Sequence, residues 1–220
     1  MQEQHRRNPK IVDKEIRDAL VEKMREGIQA SEDQEKVFKE LHELFGREEG
    51  WVDLESPFED VKMKINYKQQ RRGERSIALG RAECVADCTA EEACAWYIET
   101  CSNERQKLAW DDGDSARLEV HWTSSGERRK VNERVFASVK PMPFPLRSRE
   151  FVCGMIWKTN RKTVTLAAYP VDDVVNYGGS FKKLVRATTK AFLNFTNIES
   201  SHGVPQVRHI EEAGAKAGAK

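Results

Sequence analysis

The chain has 220 residues, with 37 Lys and Arg set against 36 Asp and Glu, a formal charge of +1 and 39% hydrophobic content. That length holds one good-sized domain with an arm rather than two ordinary domains, and the charge balance argues against a dedicated nucleic-acid binder, which would be strongly basic. A mean hydropathy of −0.71 is polar without being a disordered composition.

In chain order, residues 11–30 lack proline and place Ile16, Leu20 and Met24 four apart, which predicts an amphipathic helix. Ser31, three residues before Gln34, predicts a capping box, and Val37, Phe38, Leu41, Leu44 and Phe45 give the next helix a narrow apolar face. Residues 1–50 hold 10 basic and 13 acidic residues, so this arm carries a net −3 against +4 for the rest. From Val61 the period becomes 2: Val61, Met63, Ile65 and Tyr67 alternate with Lys62, Lys64, Asn66 and Lys68, a half-buried strand. A turn at Arg71, Arg72 and Gly73 returns the chain as a strand over 77–85. Thr89 and Glu92 form a second capping box, opening a helix through Cys101.

Short extended segments follow. Leu118, Val120 and Trp122 alternate, as do Val135, Ala137 and Val139; the prolines of 141–145 bar a central strand there, since each lacks a ladder donor. Phe151, Cys153, Met155 and Trp157 share one face of the next strand, Val164, Leu166 and Ala168 one face of another. A long strand then carries Val185, Ala187, Thr189, Ala191, Leu193 and Phe195 together. About seven strands in meander order around one interior helix make an α+β antiparallel architecture. The inward positions mix large Met63, Trp122, Met155 and Trp157 with small Ala137, Cys153, Ala168, Ala187, Thr189 and Ala191. Such a face is either a filled core or a hollow.

Catalytic and metal-binding patterns are sparse. The five cysteines, Cys84, Cys88, Cys94, Cys101 and Cys153, include no CxxC pair, and no His-x-x-x-His or GxSxG spacing occurs. The expectation is therefore no catalytic residue, no metal and no cofactor. Apolar runs such as 151–157 are far shorter than the roughly 18–20 residues of a spanning helix, and the first ten residues lack the apolar core of a secretory signal. A reduced, cytoplasmic protein, peripheral at membranes, is expected. Basic groups at predicted turns (Arg71, Arg72 and Arg75; Arg128, Arg129 and Lys130; Arg161 and Lys162; Lys182 and Lys183) are either simply solvated or a rim for an anionic membrane.

The segment PMPFPLRSREFV at 141–152 resembles the START (StAR-related lipid transfer) domain, in which a proline-bearing stretch leads into Ser-Arg-acid-Phe-Val. The triplet Val185, Arg186, Ala187 after a Tyr177-Gly178-Gly179 loop, Trp51, the strand at 60–64 and the helix from Thr89 followed by Asn103, Glu104 and Arg105 fit the same family in order and spacing. The likeness covers roughly residues 36–210. It implies a helix-grip fold, a curved antiparallel sheet wrapped around helices with an internal apolar cavity, and a non-enzymatic role in binding or moving a lipid.

By that resemblance the expected lining is Met63, Trp122, Ala137, Cys153, Met155, Trp157, Leu166, Ala168, Ala187, Thr189 and Leu193. Arg149, Glu150 and Arg186 are expected at the tunnel mouth or as structural ion pairs. Sterol-binding relatives place an arginine where Met155 stands, so a phospholipid or acyl lipid is expected ahead of a sterol. The family closes its tunnel with a long C-terminal amphipathic helix; here residues 211–220 have no apolar face, so the domain divides as a charged helical arm over 1–33, a lipid-binding domain over 34–210 and a low-complexity tail over 211–220. Expected partners are the lipid, a transient anionic membrane and a protein bound through the N-terminal helices, with no nucleic acid. The alternative is a regulatory or protein-interaction module that keeps the scaffold without carrying lipid.

Overall fold

A computed structural model describes residues 9–46, 49–68, 77–120, 129–177 and 184–217. Four helices, α1 (Pro9–Arg25), α2 (Glu32–Phe45), α3 (Ala90–Ile98) and α4 (Asn103–Asp111), accompany nine strands. These are β1 (Val52–Leu54), β2 (Lys62–Lys68), β3 (Ile77–Ala86), β4 (Ala116–Glu119), β5 (Glu133–Lys140), β6 (Arg149–Thr159), β7 (Thr163–Pro170), β8 (Val185–Ser201) and β9 (Val204–Ala217). They form one sheet in the order β1-β2-β3-β9-β8-β7-β6-β5-β4, with neighbours antiparallel. At Pro170, which has no ladder donor, β7 stops. Beyond it the first residues of β6, Arg149 to Phe151, pair directly and in parallel with Val185 to Ala187 of β8.

The capping boxes form as expected. The Ser31 N–H donates to Gln34 Oε1 at 3.0 Å, and the Thr89 N–H to Glu92 Oε2 at 2.8 Å, each answering orphan donors of a first turn. The helix expected through Cys101 ends sooner, after Ile98, and a further, unexpected helix follows it: Ser102 caps α4 through the Arg105 N–H at 3.3 Å. The sequence of α4, NERQKLAWD, buries only Ala109, so it has no apolar stripe by which periodicity could reveal it.

The sheet is covered on both faces. On its outer face α2 packs Phe38, Leu41 and Phe45 against Leu79, Ile156, Ala167 and Phe192. Its inner face carries α1, α3 and α4, with Leu20, Val21 and Met24 of α1 in the same cluster as Ala90, Ala95, Trp157, Leu166 and Leu193. Residue 33 is thus no packing boundary: α1 of the expected arm is built into the inner core, as α2 beyond it is into the outer one. A second correction concerns the C-terminal end. Residues 211–217, expected in a low-complexity tail, are the second half of β9, paired with β8 throughout and with β3 as far as Gly214. Ladder hydrogen bonds to its neighbours, whose edge N–H and C=O groups would otherwise lack partners, hold that strand where its own side chains offer little hydrophobic gain. No helix among the described residues is long and apolar enough to cross a membrane.

Candidate functional site

Register carves the site. Across the inner face, Met155 pairs with Ala168, Ala168 with Ala191, Ala191 with Ala213 and Ala213 with Gly80. Four of these five side chains are no larger than a methyl group. The next row is Trp157, Leu166, Leu193 and Glu211, and Trp157, Leu166 and Leu193 are at most 1% exposed. The small row leaves a cavity of about 320 Å³, bounded by Phe136, Phe151, Cys153, Met155, Ala168 and Ala191, with Thr189 and Ala213 beside them. The large row is solid core.

The expected lining therefore divides by size. Cys153, Met155, Ala168 and Thr189 face the cavity. Trp157, Leu166 and Leu193 lie on the same face but close the core behind it, and Ala187 is buried beside Phe151 without bounding the cavity. Met63 sits across from Ala82 on β2, strands away from the hollow. Trp122 lies outside the described residues. Ala137 is a correction: it points to the outer face with Val135 and Val152, under Val171, Val175 and Tyr177 of the 171–177 loop. Phe136 and Ser138 take the inward positions of β5 instead.

The cavity is not wholly apolar. Tyr97 of α3, Arg105 of α4, Arg117 of β4 and Glu211 of β9 converge at its edge. The Tyr97 hydroxyl donates to Glu211 Oε1 at 3.1 Å. Burial, with Glu211 adjacent, drives the phenol far above its ordinary range, and burial also raises the Glu211 carboxyl. Arg105 lies over the Trp96 ring, 3.9 Å from its centroid, and burial and the like charge of Arg117 lower its pKa. Arg117 donates to the Thr100 carbonyl at 3.2 Å and to Asp114 Oδ2 at 2.9 Å. Both guanidinium Nε atoms are buried and have no hydrogen-bond partner among the described residues. These four groups come from distant parts of the chain, and no local motif links them. Only Arg105 carried a signal, through the family likeness.

Glu150 and Arg186 pair on the outer face, Arg186 Nε to Glu150 Oε2 at 2.9 Å, and Arg186 also clamps the carbonyls of Val171 and Asp173. They pin the 171–177 loop. Arg149 starts β6 on the inner side, opposite Lys140. Among the basic turns, Arg129 is tied to Glu133 at 3.0 Å and to Asp173. Arg161 and Lys162 are exposed, whereas Arg71, Arg72, Arg75, Arg128, Lys182 and Lys183 lie outside the described residues.

A second compartment of about 870 Å³ adjoins the first, with α1 on one side and β3, β8, β9 and α3 on the other. There Cys84 Sγ is 4.0 Å from His209 Nδ1. Burial lowers His209 to about 4 and raises the Cys84 thiol, so both shifts favour the neutral pair over thiolate and imidazolium. Cys153 in the first cavity is likewise held protonated, pushed up to about 12 by burial.

An antiparallel sheet bent around helices, with a hollow under a row of small side chains, is the helix-grip arrangement. The fold is START-like. Human STARD10 is similar over 89% of this chain and 72% of that one, at 20% identity and a TM-score of 0.59. Human StAR-related lipid transfer protein 5 is similar over 84% and 81%, at 14% identity and 0.59. A STAR-related lipid transfer protein fragment from Xanthomonas axonopodis is similar over 78% and 83%, at 14% identity and 0.53. No family model and no curated protein matches the sequence. At these identities the START-like likeness is one of fold.

Proposed function

We propose that this START-like chain binds a single lipid on the inner face of its sheet and exchanges it with membranes, peripherally and without catalysis. One observation carries the reading: a hydrocarbon-walled hollow whose edge presents two arginines with unpaired Nε donors. An amphiphile with an anionic phosphate or carboxylate fits both parts, the chain against Phe136, Met155 and Ala191, the head toward Arg105 and Arg117. A sterol hydroxyl would bring no charge to these donors, which supports a phospholipid or acyl lipid. Shielding contributes roughly 25 cal/mol per Å² of apolar area removed from water.

Membrane docking finds support in the loop between β5 and β6. Phe144 is 99% exposed and Leu146 55%, flanked by Lys140, Arg147 and Arg149. Lys140, at the base of that loop, also borders the first cavity. Each cation near an anionic surface adds about 1 kcal/mol. Two measurements test the proposal. Native mass spectrometry after incubation with mixed phosphatidylcholine and phosphatidylserine vesicles should show one lipid per chain; bare polypeptide throughout would sink the carrier reading and favour the regulatory module. Phe144→Ser with Leu146→Ser should weaken sedimentation with the same vesicles, and undiminished sedimentation would remove the loop from the docking surface.

A further inference from the structure

The second compartment differs from the first in its walls. Its floor is Phe195 and Val207 with Cys84 and Cys88, and Ala93 and Trp96 of α3 form one side. The roof is α1: Val21 points in, while Lys14, Arg17, Asp18, Glu22 and Arg25 supply charges of both signs along the rim. Tyr97 borders both compartments. Its ring stands edge-on to Phe195 and His209, each 6.3 Å away, and those two stack at 4.6 Å. The stack gives this space a neutral aromatic partition, with the polar groups of the first cavity behind it.

The hold on α1 is largely polar. Asp13, buried at 5% exposure, accepts from the N–H groups of Asn103 and Glu104 at 3.2 and 3.1 Å, capping α4 from outside. Arg17 reaches Glu99 at 3.2 Å and Glu104 at 3.1 Å. Only Leu20, Val21 and Met24 of the helix are buried apolar side chains, while Ile11 and Ile16 remain about half exposed. The chain leaves α1 through Gly27 at φ +88°, with nothing within 4 Å of a Cβ there, and is next tied down where the Ile28 N–H donates to Thr159 Oγ1 at 2.7 Å.

We propose that the compartment beneath α1 is a second lipid subsite that takes a long acyl chain, and that α1 is its movable roof, pivoting about Gly27 when the Asp13 and Arg17 clasp opens. The inference rests on the inner face being lipid-binding, and goes beyond it by assigning a further acyl chain, besides the one against Phe136 and Met155, to a separate space and the gate to the N-terminal helix. The size fits: about 870 Å³ lies near the top of the range for ligand pockets, whereas the first cavity, at about 320 Å³, lies near the bottom.

The chain carries its own reporters, since Cys84 and Cys88 line this compartment and Cys101 lines neither. The full chain, alone or loaded from phosphatidylcholine vesicles or with oleate, is treated with iodoacetamide at alkaline pH, and peptide mass spectrometry gives each alkylation rate. Loading should slow Cys84 and Cys88 several-fold and leave Cys101 unchanged. Val21→Trp, which fills the space, should lower lipid uptake several-fold. If native mass spectrometry shows bound lipid while Cys84 and Cys88 are unprotected, the subsite is wrong and the carrier reading stands; if no lipid binds, both fall. For the roof, Asp13→Asn with Arg17→Gln should speed alkylation of the unloaded thiols several-fold at an unchanged far-UV spectrum, and an unchanged rate overturns it. Hydrogen exchange on the unmodified chain decides the same point without a variant: α1 amides should exchange faster than those of α2 and slow on loading, and α1 exchanging no faster than α2 contradicts the pivot.

Discussion

The two faces of one sheet do different work with the same strands. Along β6 the outward Ile156 is locked under α2, and the inward Cys153 and Met155 border a hollow. Along β8 the outward Phe192 fills, and the inward Thr189 and Ala191 leave space. The helices differ in balance as well: α2 is held by three buried aromatic and aliphatic side chains with a buried Gln34–Asn132 pair, α1 by a carboxylate cap and an arginine clasp with three apolar side chains. The outer face is close-packed under α2, whereas the inner face divides into a solid large row and a hollow small row, because cavity and close packing cannot share the same atoms.

Breaking the outer face should cost most. Phe45→Ala, at a site with no exposure, should lose about 3–5 kcal/mol in urea unfolding, while lipid bound per folded molecule holds. A loss of lipid with intact stability would reverse the comparison.

Acid should find the inner face. His209 is neutral in the folded chain down to about pH 4, whereas an unfolded histidine protonates near 6.5. Between those values the unfolded chain binds more protons, so His209 gives its full stabilisation above pH 6.5 and loses it as pH falls toward 4. His209→Gln should remove about 2 kcal/mol of the acid destabilisation that develops between pH 7 and pH 5, read from unfolding midpoints at those two values. Parallel loss in both proteins would mean the imidazole is not buried.

Filling the hollow should separate binding from folding. Thr189→Phe should lower lipid uptake about tenfold, the equivalent of about 1.4 kcal/mol. Uptake equal to the parent would take Thr189 out of the site. At the small end, Lys64→Gln breaks an edge pair with the 85%-exposed Asp53 and should shift stability by no more than about 0.5 kcal/mol; a larger shift would show that the edge carries more of the fold than either face suggests.

Much of this was legible from residue order, and the failures share a cause. Alternation on β6, β7 and β8 selects the inward set correctly, because each strand carries one unbroken apolar face. On β5 the same logic selects Val135, Ala137 and Val139, yet those point outward. Apolar alternation reports that a face is buried, and on β5 the 171–177 loop buries the outer face while the cavity side takes Phe136 and Ser138. The end of β9, rich in Ala, Gly and Lys, has no signal of its own and is a strand because β3 and β8 each need a neighbour.

Composition, periodicity and motif order by themselves determined an α+β chain of START-like pattern, the two N-terminal helices, the capping boxes of α2 and α3, and the inward faces of the late strands. Those are properties of neighbouring residues, and local geometry enforces them. Only the tertiary structure decided which inward residues face a hollow, since that depends on cross-strand register placing alanine beside alanine. It alone brought Tyr97, Arg105, Arg117 and Glu211 together, and turned a near-neutral chain with an acidic arm into a sheet whose arm is both its outer seal and its inner roof.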